Sequence, residues 1–238
     1  MCYKVSTPAR DQLEGYFQKE INQNFRIAIE GQFPHFYHAD GFARPFLPFT
    51  ASENPDRVEL AQWKLLPFIV KTEKEAWDYA NTLNARAEDL FTKFSYKHYI
   101  GRQRGLLWVT GFFEPHHPNP KETIPYYVKA EKGEPFTLGC VYANWVNHET
   151  GEVVRTFSII TTPPNELMGW VHNQGQRMPL IIRPEDRARW LGPLERTEIE
   201  AMMRPLPDGY LEGYPVSKVV YKKGIDTNIK EAQERLPG

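Results

Sequence analysis

The stretch that most restricts the fold runs from residue 106 to residue 162, where one β-branched and aromatic run follows another. Residues 106–109, 126–130, 137–146 and 153–162 each carry the composition that suits a pleated, half-buried surface. Residues 147–152 separate the last two runs as a hairpin turn. Helical signals are short and lie outside this block. Thr7-Pro8 pairs an N-cap with a proline at the first helical position, opening a helix that sets Leu13, Tyr16, Phe17 and Ile21 near one face. Thr72 through Glu75 spell a capping box before a helix carrying Ala76, Trp77, Ala80 and Leu83, which delivers the chain to Asn84. Short helices are predicted at 164–168, 184–191 and 197–203, and a final strand at 216–221. From residue 31 to residue 50 prolines and glycines interrupt any period, so ordered loop with short strands is expected there. With no internal repeat and no low-complexity linker, the pattern predicts one α+β domain over residues 1–238, a β-rich sheet or partial barrel with peripheral helices.

Such a fold needs a core, and the composition supplies one. Fourteen Phe, twelve Tyr and six Trp in 238 residues offer far more burial than a solvated chain carries, and opposite charges nearly cancel at net −1, which excludes disorder. No run approaches the roughly twenty apolar residues of a membrane span. The first residues lack a secretory apolar stretch, so a cytoplasmic protein is expected. Two cysteines, Cys2 and Cys140, are too few for a disulfide framework and are read as reduced thiols. Near-neutral charge argues against coating nucleic acid by electrostatics alone, so any DNA contact must be a local groove. Lys93, Lys97, His98, Arg102 and Arg104, interleaved with Phe94, Tyr96 and Tyr99, have the mix for phosphate contact and base stacking. They read equally well as a solvated basic helix and turn.

Cys2 is the most informative single residue. Its small side chain permits removal of the initiator methionine, which leaves thiol and amine on one Cα. An aldehyde attacked by that amine gives an imine, and the neighbouring thiol closes it to a five-membered thiazolidine with no second protein nucleophile. At reference values of about 8 for the amine and about 8.5 for the thiol, both groups are mostly protonated at neutral pH and want a nearby base. Taken alone, residue 2 also reads as an arbitrary mobile terminus. Cys140, inside an apolar strand pattern, reads as core. Glu114 ends the segment 106–114, a carboxylate where a hydrophobic strand leaves a glycine. A raised pKa would let it shuttle protons; an ordinary strand-end carboxylate is the alternative. His172 follows the strand end at Thr161-Thr162, either an acid–base group or a surface residue. Neither His35 with His38 nor His116 with His117 has carboxylate or cysteine partners at ligand spacing, so neither a metal nor another cofactor is expected. Asn84 could orient an amine or a sugar oxygen, and Arg86 could grip a phosphate.

Together these segments resemble the SOS-response-associated peptidase (SRAP) family. The resemblance rests on Met1-Cys2, QWKLLPF at 62–68, NARAE at 84–88, GFFE at 111–114, TFSIITTPPNELM at 156–168, His172, RMPLII at 177–182 and Tyr214-Pro215-Val216-Ser217. Order and approximate spacing agree along nearly the whole chain. The resemblance implies a β-rich pseudo-barrel and an abasic-site sensor that crosslinks to single-stranded DNA. By the same resemblance Cys2 is the crosslinking nucleophile, Asn84 positions its amine, Glu114 moves protons and His172 assists imine and sugar-ring chemistry. Arg86 and Arg177 match positions that hold DNA phosphates, Thr161 borders the site, and Trp63 belongs to a loop near the junction where bases are unstacked. The chain also departs from the family pattern. Tyr3-Lys4 replaces Gly-Arg, Lys64 replaces the glycine after the loop tryptophan, His172 and Arg177 are spaced more widely, and Tyr221 stands where asparagine is expected.

Three functions follow from these residues. The first is covalent capture of abasic sites in single-stranded DNA through Cys2 after Met1 removal, within DNA repair and the SOS response, with weak lyase activity by β-elimination from the imine stage. It carries the expectation of a monomer with no membrane partner, associated with the nucleoid when damaged DNA is bound. The second is an N-terminal cysteine peptidase acting on its own first peptide bond, with Cys2, Glu114 and His172 recast as nucleophile and acid–base partners. The third, a glutamine amidotransferase, lacks the glycine-containing arginine and asparagine motifs expected for glutamine and oxyanion binding.

Overall fold

The computed structural model describes residues 2–19 and 25–237. Its strands begin with β1 (Lys4–Ser6), β2 (Arg26–Ile27), β3 (Ala39–Asp40), β4 (Phe46–Ala51), β5 (Arg57–Trp63) and β6 (Asn84–Arg86). They continue with β7 (Arg104–Val109), β8 (Gly111–Asn119), β9 (Glu122–Ala130), β10 (Phe136–Val146) and β11 (Val153–Thr162). The last are β12 (Met178–Pro179), β13 (Ile181–Ile182) and β14 (Leu211–Pro215). Around them lie α1 (Arg10–Lys19), α2 (Glu73–Asp78), α3 (Phe94–Lys97), α4 (Glu166–Val171), α5 (Arg187–Leu191) and α6 (Arg196–Met202).

Five of these strands close a mixed barrel, which makes the fold the β-rich α+β type expected. β5, β4, β7, β10 and β11 pair antiparallel in that order, and β11 returns to β5 in parallel with Phe157 opposite Trp63. The period of two along each strand decides which side chains share a core. Leu107 and Val109 of β7, Leu138, Cys140 and Tyr142 of β10, and Phe157 and Ile159 of β11 join one cluster. Leu106, Val141, Ala143 and Ile160, out of step by one residue, join a second with Tyr96 and Trp190. An antiparallel sheet in the order β14-β9-β8-β1-β3 packs against the barrel, its Val5, Phe112 and Val128 entering the first cluster along with Cys2. Gly105 lets β7 approach β4, since a Cβ there would stand 2.1 Å from the Phe49 ring.

Several local expectations meet their structures here. Strand β11 spans the predicted residues, and the turn before it closes through Asn147 N–H donating to Glu152 O at 2.9 Å, with Gly151 at φ 74°. The capping box forms at Thr72 and Glu75, yet α2 ends at Asp78. Ala80 and Leu83 lie in irregular chain beyond it, because Thr82 Oγ1 donates to Leu65 O at 2.6 Å and Asn81 Oδ1 accepts from Leu83 N–H, bonds a helix would forbid. Thr7 is not a helix cap either. Its Oγ1 accepts from Phe36 N–H at 3.0 Å and α1 starts at Arg10, burying Leu13 and Tyr16; Ile21 lies outside the described residues. The predicted strand at 216–221 is displaced: β14 ends at Pro215 and Lys218–Tyr221 forms a 3₁₀ turn capped by Ser217. Arg104 leaves the expected basic surface, being buried with its guanidinium donating to Trp190 O, Ile100 O, Gly101 O and Gly192 O. No helix among the described residues is long and apolar enough to cross a membrane.

Candidate active site

Strand β1 holds the residues that follow Cys2 from both sides. Val5 pairs with Phe112 of β8 and with Ala39 of β3, Lys4 Nζ meets Asp40 at 2.7 Å, and Gly41 N–H donates to Tyr3 O at 2.8 Å. Cys2 is thereby drawn into the core at 0% exposure, the opposite of a mobile terminus. Burial pushes its thiol well above the ordinary cysteine range, and the Glu114 carboxylate adds to the rise. Met1 lies outside the described residues.

Asn84 comes to Cys2 because β6 runs parallel to β11, Asn84 beside Ile159. Its Nδ2 donates to Cys2 O at 2.7 Å, its own carbonyl accepts from Tyr96 OH at 3.0 Å, and its buried Oδ1 has no hydrogen-bond partner among the described residues. Glu114 is a mid-strand residue rather than a strand end. The run that reads as one strand breaks at Thr110, whose N–H donates to Ser6 O, and Gly111 opens β8 in the other sheet. At 1% exposure, burial lifts the Glu114 carboxyl to about 7.

His172 caps the C-terminus of α4, a helix N-capped by Asn165 accepting from Met168 N–H. Its Nδ1 stands 3.0 Å from Arg177 O, which can only accept, so Nδ1 carries a proton. The same nitrogen is 3.7 Å from Glu114 Oε2. That approach is not an ion pair at neutral pH, because burial drops the imidazole to about 4. A neutral imidazole thus faces a carboxyl poised to give or take a proton near neutrality. Among the described residues no group of three His, Cys, Asp or Glu side chains is arranged to hold a metal ion.

The family pattern described as SOS response associated peptidase (SRAP) matches residues 1–223. The chain belongs to the SRAP family. Among SRAP relatives, abasic site processing protein YobE of Bacillus subtilis (strain 168) is 31% identical over 167 residues, 69% of this chain and 73% of that protein. Abasic site processing protein HMCES of Xenopus tropicalis is 26% identical over 189 residues, 71% of this chain but 55% of its own length. A crystal structure of a protein from Bacteroides thetaiotaomicron shares the fold with a TM-score of 0.86 at 28% identity, over 99% of this chain and 100% of that one. Another from Bordetella bronchiseptica, at TM-score 0.75 and 18% identity, covers 91% of this chain.

Within this SRAP chain two residues expected to meet DNA have internal partners. Arg177 spends its guanidinium internally. Nη1 and Nη2 donate to the Glu88 carboxylate at 2.5 and 3.0 Å, while Nε and Nη2 reach Thr161 Oγ1 at 3.3 and 3.2 Å. Such a bidentate pair leaves no donor fork for a phosphate. Trp63 is fully buried, with Nε1 donating to Leu83 O at 2.9 Å and its ring stacked on Phe157, so it is a wall of the barrel. Thr161, also buried, anchors Arg177. Arg86 is exposed, two residues along β6 from Asn84 and therefore on the same side of that strand. Sequence reasoning gave no role to Glu88, which orients Arg177, or to Gly175. A Cβ at Gly175 would stand 2.0 Å from His172 Nε2. Tyr221, noted only as a departure, lies close enough to Glu114 that the carboxylate adds to the rise burial gives its phenol. A cavity of about 670 Å³, lined in part by Tyr37, Tyr127, Lys129 and Tyr214, includes none of Cys2, Asn84, Glu114 or His172.

Proposed function

We propose that this chain captures abasic sites in single-stranded DNA covalently through Cys2, once Met1 has been removed. The name abasic site processing protein, carried by relatives at 31% and 26% identity, supports damaged DNA as the substrate. The observation that carries the finer reading is the convergence on one residue. Asn84 Nδ2 holds the Cys2 carbonyl at 2.7 Å while the Glu114 carboxyl, within electrostatic reach of the thiol, sits 3.7 Å from His172.

The neutral α-amine of Cys2 attacks the carbonyl carbon of a ring-opened abasic sugar, forming a C–N bond and a carbinolamine. Protonated Glu114 gives its proton to the departing hydroxyl, water leaves, and a protonated imine remains beside the Glu114 carboxylate. Sγ then bonds to the imine carbon, the C=N electron pair returns to nitrogen, and the thiol proton passes to the Glu114 carboxylate, closing the thiazolidine and restoring the acid. One water is lost and nothing is oxidised or reduced. A carboxyl at about 7 is half protonated at neutral pH, the state suited to both transfers. The amide of Asn84 orients the amine-bearing residue, and the neutral His172, its one N–H held by Arg177 O, packs beside the carboxyl without adding a charge. Arg86 offers an exposed cation for a phosphate beside the site. Before ring closure, loss of a proton from the sugar carbon next to the imine would expel the 3′ phosphate, a weak lyase reaction.

The test is incubation of Met1-free protein with single-stranded DNA carrying one abasic site. A denaturation-resistant adduct one water lighter than the sum of its parts is expected, and Cys2→Ala should abolish it. No adduct from the wild type, or an undiminished one from the variant, overturns the proposal. The hydrolytic alternative draws on the same proximity of Cys2 and Glu114. Intact mass separates the two: Met1 retained in Glu114→Gln points to self-cleavage, and clean loss points to a separate aminopeptidase.

A further inference from the structure

The Nδ1 proton of His172 has two acceptors near it. Arg177 O stands 3.0 Å away and Glu114 Oε2 3.7 Å. Which of them holds the proton decides what Glu114 can do, because an N–H turned onto a carboxylate favours its ionised form and makes the acid less willing to keep a proton. The choice is made in the segment between His172 and Arg177, whose length is one of the departures from the family pattern.

Asn173 opens that segment. Its side-chain amide bridges from the end of α4 to β8, Oδ1 accepting from His117 N–H at 3.1 Å and Nδ2 donating to His117 O at 2.8 Å. One side chain thus engages both backbone groups of His117, three positions along β8 from Glu114. A second tie lies within the helix, where the Trp170 ring stacks on His116 at 4.5 Å and Trp170 O is 2.9 Å from His116 Nδ1. His172 falls between the two ties in the chain, which sets its ring beside Glu114. The segment then turns back on itself. Gln176 N–H donates to His172 O at 2.9 Å, and Gln176 Nε2 donates to Gly169 O and Asn173 O. The φ of Gln176, 47°, is a left-handed conformation that favours glycine, and these bonds hold it there. Arg177 O is delivered to Nδ1 by that turn.

We propose that Asn173 is a positioning residue for capture: by fastening the end of α4 to β8 it keeps the His172 N–H on Arg177 O and off the Glu114 carboxyl. The assignment rests on the reading of Glu114 as the acid that expels water from the carbinolamine. Glu114 is also faced by the terminal α-amine, the Cys2 thiol and the phenols of Tyr3 and Tyr221, and His172 by that amine and by His117. Among the described residues only His117 is bonded to Asn173, and through its backbone alone, so removing the amide reaches Glu114 by way of the imidazole.

NMR titration of the free protein tests this without the covalent step. Wild type should show His172 near about 4 and Glu114 near about 7. In Asn173→Ala the imidazole turns to the carboxyl, so His172 is expected to rise to about 5 and Glu114 to fall to about 6. Capture of aldehyde-bearing DNA should carry the same signature, about tenfold slower than wild type at about pH 7.5 and converging with it below about pH 5. Gln174→Ala, in the same turn but with no side-chain bond among the described residues, should match wild type. Thermal melting establishes that each variant is folded. Should alanine not fold, Asn173→Ser keeps a hydroxyl for His117 N–H and should move both midpoints the same way by less. Unmoved midpoints in a folded variant, or a capture rate that falls equally at every pH, overturn the assignment. Midpoints that shift as expected in a protein whose wild type forms no adduct would instead sink the capture chemistry and leave the fastening of His172 standing.

Discussion

A carboxyl group buried in mid-strand holds its proton to higher pH in the folded chain than in the unfolded one, and Glu114 does so up to about 7. Its contribution to stability is therefore full below the ordinary carboxylate range, about 4.3, and is lost as pH rises through about 7. His172 and His38, both lowered to about 4 by burial, act in the opposite sense between there and about 6.5, where the unfolded chain binds the extra protons. Their slopes cancel in the difference between wild type and Glu114→Gln. That difference in unfolding free energy should move toward the variant by about 3 kcal/mol between about pH 4.5 and about pH 8, as urea titrations at each pH would read. A difference flat with pH would mean that Glu114 is already ionised in the fold. If Glu114 is the proton carrier, the same substitution should slow capture of abasic DNA by about a hundredfold and remove the inflection near about pH 7 from its rate profile. The sequence pointed to this carboxyl but put it at a strand end, because a local pattern cannot reveal that the chain changes sheets at Thr110.

At the scale of elements, the turn between α4 and β12 decides what His172 can do. Residues 173–176 fold back over the helix end, where Gln176 Nε2 donates to Gly169 O at 3.0 Å and Asn173 O at 2.9 Å. Gly175 lies against the imidazole and lacks a left-handed φ, so alanine fits its backbone but not the space beside Nε2. Gly175→Ala should push the ring off Arg177 O and into a wetter setting. NMR titration is expected to find His172 moving up from about 4 toward its ordinary value of about 6.5, at a stability loss of about 1–3 kcal/mol. An unchanged titration would show that the turn yields and the ring does not. The two arginines of the site separate in the same way. Arg177→Ala removes a buried clamp on Glu88 and Thr161 and should lower stability by about 2 kcal/mol, whereas exposed Arg86→Ala should change it by no more than about 0.5 kcal/mol. If Arg86 holds a phosphate, its loss should weaken binding of single-stranded DNA at low salt and reduce the salt slope by about one. In the sequence the two residues look alike. What divides them is Glu88, 89 positions from Arg177, a tertiary partner that no local pattern carries.

Across the whole molecule, the long strands β10 and β11 and the turn between them were legible because a continuous β-branched and aromatic run is a local signal. Closure was not. The barrel depends on β4, which carries Pro48 within a segment that reads as interrupted loop, and on the parallel return of β11 to β5, with Phe157 beside Trp63, nearly a hundred residues apart. Trp63 sits at that seam, fully buried, bonded to Leu83 O and stacked parallel to Phe157 with an interplanar angle of 9°. Its place under Gly41 and next to the chain that leads to Asn84 makes it a support for the site. Trp63→Phe keeps most of the apolar volume but removes one of the two hydrogen bonds to Leu83 O, Ile159 N–H still donating to it, so the denaturant midpoint should fall by the equivalent of about 1 kcal/mol with the slope unchanged. Capture of abasic DNA measured well below the melting transition should then stay close to wild type. A large loss of DNA binding in a folded Trp63→Phe variant would instead mean that the strand reaches the barrel wall and that the seam between β5 and β11 opens when DNA is bound.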